Sequence, residues 1–478
     1  MVQEPNMLGS DRPRRAHLPP ILAVACLVAA SCLGLAHQTQ SLTADPPPSE
    51  FDPRVFDIVG AVSAERIEAD IRTLVGFGTR HTLSETESET RGIGAARRWI
   101  NAEFDRISDA CGGCLEVSFQ RHRVAGDPDT RIRVDTEVVN VLAVLRGSTD
   151  PNRYLIMAGD IDSRISDIFN STDDSPGAND NASGMAGTIE AARVLSRHRF
   201  NATIVLVGLS GEEQGLIGGR RMAEAAKAAG WNIEGVLNND MIGNIEGIDG
   251  VVENNTFRVF SEPTPVTDTE TQRLARRRLG GEVDGVSRQL ARYVARIADR
   301  YIPNLDAVMV YRLDRVGRGG HHRPFNDLGF PGVRIMETHE NYARQHQDVR
   351  VEDGIQYGDL LTGVNAEYAA KLTAVNAATL ASLAWAPAPP ANVAIAGAVR
   401  PSTTLFWDAV EAADLAGYKV SWRVTTAPQW EHSRFVGNVT EYTLENIIID
   451  NYLFGVAAVD TNGNESVVSF PQRRARRP

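Results

Sequence analysis

The chain has 478 residues, which is enough for two or three domains around a large buried core. Hydrophobic residues make up 42% and charged residues 23%, the proportions of an ordinary globular protein rather than a disordered or fibrous one. The formal net charge of −12 disfavours a polyanionic partner, so nucleic-acid binding is excluded as the main function.

The first segment, 1–36, has the pattern of an export signal. Arginines precede an apolar stretch from Leu18 to Leu35, which is followed by a small residue suited to cleavage. Two alternatives stay open: an uncleaved anchor, because the stretch is near the minimum length for spanning a bilayer, and a lipoprotein acylated at Cys32. The sequence therefore predicts a periplasmic or extracellular protein, attached to a membrane only if this segment is retained or lipidated. A proline-rich linker at 37–54 follows.

Two cysteines, Cys111 and Cys114, lie outside the predicted signal and flank a Gly-Gly pair. In an exported protein this spacing favours a structural disulfide in a tight turn. Redox chemistry or metal binding is the alternative that a CxxC pair leaves open.

The body of the chain, 55–385, alternates strand-like and helix-like segments. The strand-like runs lie at 138–147, 153–159, 202–210, 234–240 and 332–336, and the first two are predicted to be adjacent. The helix-like runs lie at 61–75, 91–108, 183–197, 218–230, 284–301 and 358–385. Continuous apolar strands alternating with amphipathic helices predict an α/β fold, with a mostly parallel sheet covered by helices on both faces.

The C-terminal part, 386–471, has a different pattern. It opens with prolines and continues as short strand-like runs with spaced aromatic residues, among them Trp407, Tyr418 and Tyr452. This pattern predicts a β-sandwich and resembles a fibronectin type III module. The module is either an accessory domain, whose partner the sequence does not indicate, or a cap on the preceding domain. The basic tail at 472–478 is predicted to be solvated.

Acidic residues and a histidine follow the strand-like runs or lie in glycine-rich turns. They are Asp160, Asp180, Glu212, Glu213, Asp240 and His322. Ligands of parallel sheets bind beyond the carboxyl ends of the strands, which is where these side chains fall. Carboxylates gathered beside buried strands are costly unless a cation compensates them, so the pattern predicts a metal site.

The residue types suggest a division of roles within that site. Asp180, in a loop bounded by glycines, suits a carboxylate that bridges two ions. Glu213 and Asp240 suit end ligands, His322 suits the nitrogen ligand, and Asp160 would complete the second ion.

Glu212 is then left without a metal to bind. A free carboxylate beside the ions can take a proton from water and later pass it to a leaving amine, so Glu212 is the predicted general base. Asp162, two residues after Asp160, is suited to orient a metal ligand without binding the metal itself.

Five ordered motifs resemble those of the zinc aminopeptidase family that includes bacterial leucyl aminopeptidases, glutamate carboxypeptidase II, glutaminyl cyclases and the inactive transferrin receptor. The family's GHYDS, PGADDNASG, GEEQGLxGS, LNxDMIG and SDHxPF boxes are matched here by GDIDS (159–163), PGANDNASG (176–184), GEEQGLIGG (211–219), LNNDMIG (237–243) and GHHRPF (320–325). The resemblance implies a catalytic domain over 55–385, a two-zinc centre built from the residues above, and Glu212 as its base.

The resemblance implies an aminopeptidase acting on peptides with a free N-terminus. A one-zinc enzyme similar to glutaminyl cyclase and a catalytically inactive binding protein on the same fold are the alternatives.

Two positions depart from the family pattern. Asp160 stands where the family has a histidine ligand, which gives a more anionic site that tolerates manganese or cobalt, or else loses one metal. His321 stands where the family has aspartate, and is predicted to lie in the pocket behind the ligands, with a role as substitute nitrogen ligand as the alternative.

Overall fold

A computed structural model of the chain describes residues 46–473. The predicted export signal at 1–36 and the last residues of the basic tail lie outside that range. Within the described part of the chain, no helix combines the length and the apolar character needed to cross a bilayer.

The helices and strands follow in chain order. The helices are α1 (Pro53–Ala61), α2 (Ala64–Gly76), α3 (Gly92–Ala110), α4 (Gly184–Leu195), α5 (Ile217–Ala228), α6 (Glu270–Leu279), α7 (Val286–Tyr301), α8 (His322–Asp327) and α9 (Ala366–Trp385). The first strands are β1 (Leu115–Val124), β2 (Thr136–Leu145), β3 (Asp150–Asp160), β4 (Ala202–Leu209), β5 (Asn232–Asn239), β6 (Thr256–Ser261), β7 (Asp306–Val310) and β8 (Gly332–Glu337). The later strands are β9 (Arg350–Glu352), β10 (Ile355–Tyr357), β11 (Ala394–Ala396), β12 (Thr403–Phe406), β13 (Leu415–Val424), β14 (His432–Gly437), β15 (Glu441–Leu444), β16 (Tyr452–Asp460) and β17 (Gln472–Arg473).

The large sheet has eight strands in the order β1-β2-β4-β3-β5-β8-β6-β7. Its centre, β4-β3-β5-β8, is parallel, and antiparallel pairs flank it. This arrangement confirms the predicted α/β class. The prediction that β2 and β3 are neighbouring strands is wrong. The connection between them is short, as in a hairpin, but β4, which follows α4 in the chain, lies between them in the sheet and pairs with both.

Helices cover both faces of this sheet. Every residue of β4 is buried, and its side chains alternate between two cores. Leu206 packs with the residues of α4 and α9, whereas Val205 and Val207 pack with Met222 of α5 and Phe325 of α8. Burial on both sides explains why the strand is a continuous apolar run rather than an alternating one.

The C-terminal residues form two further sheets, ordered β15-β12-β11-β17 and β14-β13-β16. Both contribute to one core, which includes Leu405 and Leu444 from the first sheet and Tyr418 and Phe454 from the second. Two sheets facing each other across a shared core form a β-sandwich. The resemblance to a fibronectin type III module stays a prediction.

Charged side chains connect α7 to the C-terminal sheets. Glu465 is buried and accepts from Arg296 of α7 at 2.6 Å and from Lys419 of β13 at 2.7 Å. Asp284, just before α7, pairs with Arg423 of β13 at 2.9 Å. These buried ion pairs fix the sandwich against the α/β part of the chain.

The structure contains a disulfide between Cys111 and Cys114, with an S–S distance of 2.06 Å. It spans the turn in which α3 ends and β1 begins.

Candidate metal centre

The strands bring the acidic residues to one edge of the large sheet. Asp160 is the last residue of β3 and stands opposite Leu209, the last residue of β4. Asp240 directly follows Asn239 of β5, which stands opposite the residue before Asp160. Because these strands are parallel and end at the same level, their following residues meet at the carboxyl edge of the sheet.

Asp162 holds the turn that carries Glu212 and Glu213. Its two carboxylate oxygens accept hydrogen bonds from the backbone N–H groups of Glu212 at 3.1 Å and Glu213 at 3.0 Å. The hydroxyl of Thr82 donates to the same carboxylate at 2.9 Å. Asp162 thus positions both glutamates through their backbone N–H groups.

Asp180 lies in a distorted helical turn, Ala178–Ser183, which follows β3. The backbone N–H groups of Asn179 and Asp180 donate to Asp359 at 2.9 and 2.7 Å. Burial raises the pKa of Asp359 to about 7, and the two N–H donors oppose that rise. Sequence analysis missed Asp359, because it is a single aspartate outside the five motifs and far along the chain from Asp180.

Asp180, Glu213 and His346 form a group whose ligand atoms all lie within 4.8 Å of one another. The Nε2 atom of His346 is 2.9 Å from Oδ2 of Asp180 and 2.8 Å from Oε1 of Glu213. That buried nitrogen makes no hydrogen bond of acceptable geometry to any described residue. An imidazole nitrogen and two carboxylate oxygens that converge on one point are ligand types that a zinc ion takes.

Charge couples the members of this group. Burial lowers the pKa of His346, but the carboxylates of Glu213 and Asp180 outweigh it and raise the pKa to about 9. Burial raises the pKa of Asp180 and Glu213, and the imidazole opposes this so strongly that both pKa values are lowered. The other oxygen of Glu213 accepts from Arg164 at 2.8 Å. Both carboxylates are thereby kept in the ionised form that a metal requires.

His322, the predicted nitrogen ligand, is not part of this group. Its Nε2 donates to the carbonyl oxygen of Leu313 at 2.9 Å and lies 3.6 Å from Asp314. The imidazole in the group belongs instead to His346, in the loop after β8, with a left-handed backbone φ of 55°. The sequence analysis selected His322 because it lies in a recognisable motif. His346 lies outside the five motifs and reaches the group because the segment between β8 and α9 folds back over the edge of the sheet.

Asp160 and His321 contact each other directly. Oδ1 of Asp160 lies 2.5 Å from Nδ1 of His321, and Oδ2 accepts from Asn181 at 2.8 Å. Both side chains are buried. Burial lowers the pKa of His321 to about 4 and raises that of Asp160 well above its usual range.

Asp240 pairs with an arginine that sequence analysis did not single out. Nη2 of Arg334, on β8, lies 2.8 Å from Oδ2 of Asp240, and Nη1 lies 3.1 Å from Oδ2 of Asp314. Burial raises the pKa of Asp240 to about 8, and the guanidinium charge only partly opposes it. The sequence could have indicated this contact, because Arg334 lies within an apolar, strand-like run. An arginine that is buried in a strand needs a carboxylate partner.

Glu212 is the least enclosed of the acidic residues at this edge. It is partly exposed, and no described residue donates a hydrogen bond to its carboxylate. Burial, and then the negative charges of Asp240 and Glu213, raise its pKa well above the usual range. A carboxylate with a raised pKa and free oxygens can accept a proton, as a general base must.

The chain is thus an α/β protein whose mixed sheet carries converging carboxylates and an imidazole, a candidate metal centre, at its carboxyl edge. The profile of peptidase family M28 matches residues 140–360. A protein of Pyrenophora teres f. teres, named probable zinc metalloprotease, is 41% identical over 92% of this chain and 91% of that protein. A second, from Leptosphaeria maculans and also named a probable zinc metalloprotease, is 42% identical over 89% of this chain and 98% of that protein. The chain therefore belongs to peptidase family M28.

A solved structure shares the fold. LapB from Legionella pneumophila is 17% identical and superposes with a TM-score of 0.50, over 71% of this chain and 77% of that one. Together with the family membership, this confirms the family resemblance that the five motifs indicated.

Proposed function

We propose that this protein is an exported, zinc-dependent aminopeptidase that removes N-terminal residues from peptides. The observation that carries the proposal is the placement of His346 Nε2, 2.9 Å from Asp180 and 2.8 Å from Glu213, beside the free carboxylate of Glu212. Membership of a peptidase family and the names of the two fungal relatives support it. Export rests on the sequence pattern of 1–36 alone.

Asp180, Glu213 and His346 would hold the metal. When bound, zinc supplies a Lewis acid that polarises a peptide carbonyl and lowers the pKa of a water. Glu212 accepts a proton from the attacking water and delivers it to the leaving amine, so it acts as base and then as acid. Asp162 fixes the position of Glu212 through its backbone N–H.

Selection for a free N-terminus follows from charge. The carboxylates at the edge of the sheet, including Asp160 and Asp240, give the site an excess of negative charge, which attracts the ammonium group of a peptide. This hydrolysis needs one polarising cation and one base, so the proposal holds with one metal ion or with two.

A glutaminyl cyclase-like activity is the second candidate. One observation favours it: among residues 46–473, one group of side chains converges well enough to hold an ion, which suits one-zinc chemistry. Such an enzyme would convert an N-terminal glutamine into a five-membered lactam and release ammonia, without cleaving a peptide bond.

The test compares three substrates with the zinc-loaded protein: a peptide with a free N-terminus, its N-acetylated form, and a peptide that begins with glutamine. Mass spectrometry identifies the products. We expect loss of the first residue from the free peptide alone, and about a 100-fold or larger fall in kcat in Glu212→Ala.

The matched control is Glu224→Ala, which removes an exposed glutamate of α5. It should leave kcat unchanged. Equal cleavage of the acetylated peptide would contradict aminopeptidase action, and cyclisation without cleavage would select the second candidate.

A further inference from the structure

We propose that this enzyme binds one metal ion and that a buried cation of the protein itself, the guanidinium of Arg334, occupies the place where its family has a second ion. The inference rests on the proposed function, because it concerns the metal of the same site. The group Asp180, Glu213 and His346 is the retained ion site. Arg334 is the cation that replaces the other ion, and His321 is the side chain that holds Asp160.

The candidate ligands of the two ions differ in how closely their ligand atoms approach one another. Asp180, Glu213 and His346 place their ligand atoms within 4.8 Å of one another. The carboxylates left for a second ion, Asp160 and Asp240 together with the predicted bridge Asp180, do not form such a group in the described part of the chain. A metal ion needs three or more ligand atoms at one point, so the second set lacks the geometry of a site.

Arg334 is the first reason why a second ion does not fit. Its guanidinium is completely buried and lies 2.8 Å from Oδ2 of Asp240. Asp314 at 3.1 Å and the carbonyl oxygen of Gly319 at 2.6 Å hold its other end. A guanidinium stays protonated even when buried, so this is a fixed cation on the carboxylate that a second ion would require. Two cations on one carboxylate repel each other strongly inside a protein.

The contact between Asp160 and His321 is the second reason why a second ion does not fit. The family has histidine and aspartate at the positions where this chain has Asp160 and His321, so the two residue types are exchanged. Their side chains touch, with 2.5 Å between Oδ1 and Nδ1, and the second oxygen of Asp160 accepts from Asn181. Both oxygens of Asp160 therefore have protein partners.

Together the two contacts leave neither Asp160 nor Asp240 free to bind a second ion. Asp240 faces Arg334 and Asp160 faces His321, and the charge of Arg334 also acts on Glu212. The predicted general base therefore feels the charge of a fixed guanidinium. Arg334 and His321 are positioning residues on this account, since neither needs to touch the substrate.

The test is metal content, measured by elemental mass spectrometry after zinc loading and mild dialysis, with zinc affinity from titration calorimetry. We expect one zinc per chain in the unaltered protein and in Asp160→Asn, which keeps the shape of the side chain. His346→Ala should lower zinc affinity by more than about 100-fold. Thermal melting of each variant shows that it is folded.

Two zinc ions per chain, or loss of the single ion in Asp160→Asn, would overturn the inference. If Asp160→Asn does not fold, His321→Asn breaks the same pair from the other side, and the unaltered protein alone still decides between one ion and two. Two ions with intact peptidase activity would leave the proposed function standing. No bound zinc at any concentration would contradict both the proposed function and this inference.

Discussion

At the scale of single residues, the two histidines His322 and His346 have different surroundings. The imidazole of His346 lies between two carboxylates and makes no hydrogen bond through Nε2. The imidazole of His322 donates to a backbone carbonyl and is completely buried. The first is suited to a metal, and the second satisfies the carbonyl of Leu313, which lies in the segment before α8.

His322→Leu should therefore affect stability rather than zinc binding. Removing the buried donor leaves the Leu313 carbonyl without a partner, which costs about 1–3 kcal/mol of unfolding free energy. Urea denaturation measures that loss, and metal analysis should show the zinc content of the unaltered protein. His432→Leu, at an exposed histidine of β14, is the control. Loss of zinc with unchanged stability would show that His322 is a ligand after all.

At the scale of elements, the metal centre depends on how strand ends and turns are held. The turn Ala178–Ser183 has little regular helical bonding, and its N–H groups are satisfied by Asp359, which lies just before α9. The turn after β4 is held in the same way by Asp162. The turn that carries Asp180 and the turn that carries Glu212 and Glu213 are thus each fixed by a further carboxylate.

Asp359→Ala should loosen the first of these turns. Two buried N–H groups lose their acceptor, at a cost of about 1–3 kcal/mol each if no water replaces it. We expect a lower melting temperature together with weaker zinc binding, by about 10- to 100-fold, because Asp180 loses its fixed position. Asp109→Ala, at an exposed aspartate of α3, should change neither quantity. Unchanged zinc affinity in a destabilised Asp359→Ala protein would show that the turn keeps its shape without this support.

At the scale of the whole molecule, the β-sandwich is joined to the α/β part by buried charges. Burial raises the pKa of Glu465, but the charges of Arg296, Lys419 and Arg300 outweigh it and lower the pKa to about 2. A lowered pKa means that the folded protein binds this proton more weakly than the unfolded chain, whose value is 4.5. The pair therefore stabilises the fold above pH 4.5, and this stability is lost as the pH falls toward 2.

Glu465→Gln tests this contribution. The shift corresponds to about 3 kcal/mol at neutral pH, and Glu465 is nearly inaccessible to solvent, so screening by water is weak. We expect the variant to be less stable than the unaltered protein at pH 7 and to lose less stability between pH 4.5 and pH 2. Urea denaturation at a series of pH values measures both. Parallel pH profiles for the two proteins would contradict the assignment.

Much of this fold could be predicted from the sequence, because its signals are local. The apolar runs of β3 and β4 are continuous, since both sides of these strands are buried, and β5 contains a shorter apolar run. Asp160, Glu212, Glu213 and Asp240 follow those runs closely, and parallel strands bring their ends together whatever the rest of the chain does. The α/β class and the edge that carries the acidic residues followed from the sequence for this reason.

Only the tertiary structure decided which side chains meet across distant segments. The insertion of β4 between β2 and β3, the place of His346 beside Asp180, and the contact of Arg334 with Asp240 each join residues far apart in the chain. Spacing and hydrophobic pattern constrain neighbours within a few residues, whereas these contacts depend on how loops pack over the sheet. The sequence by itself therefore determined the elements and the acidic edge, and packing decided which imidazole and which cation complete it.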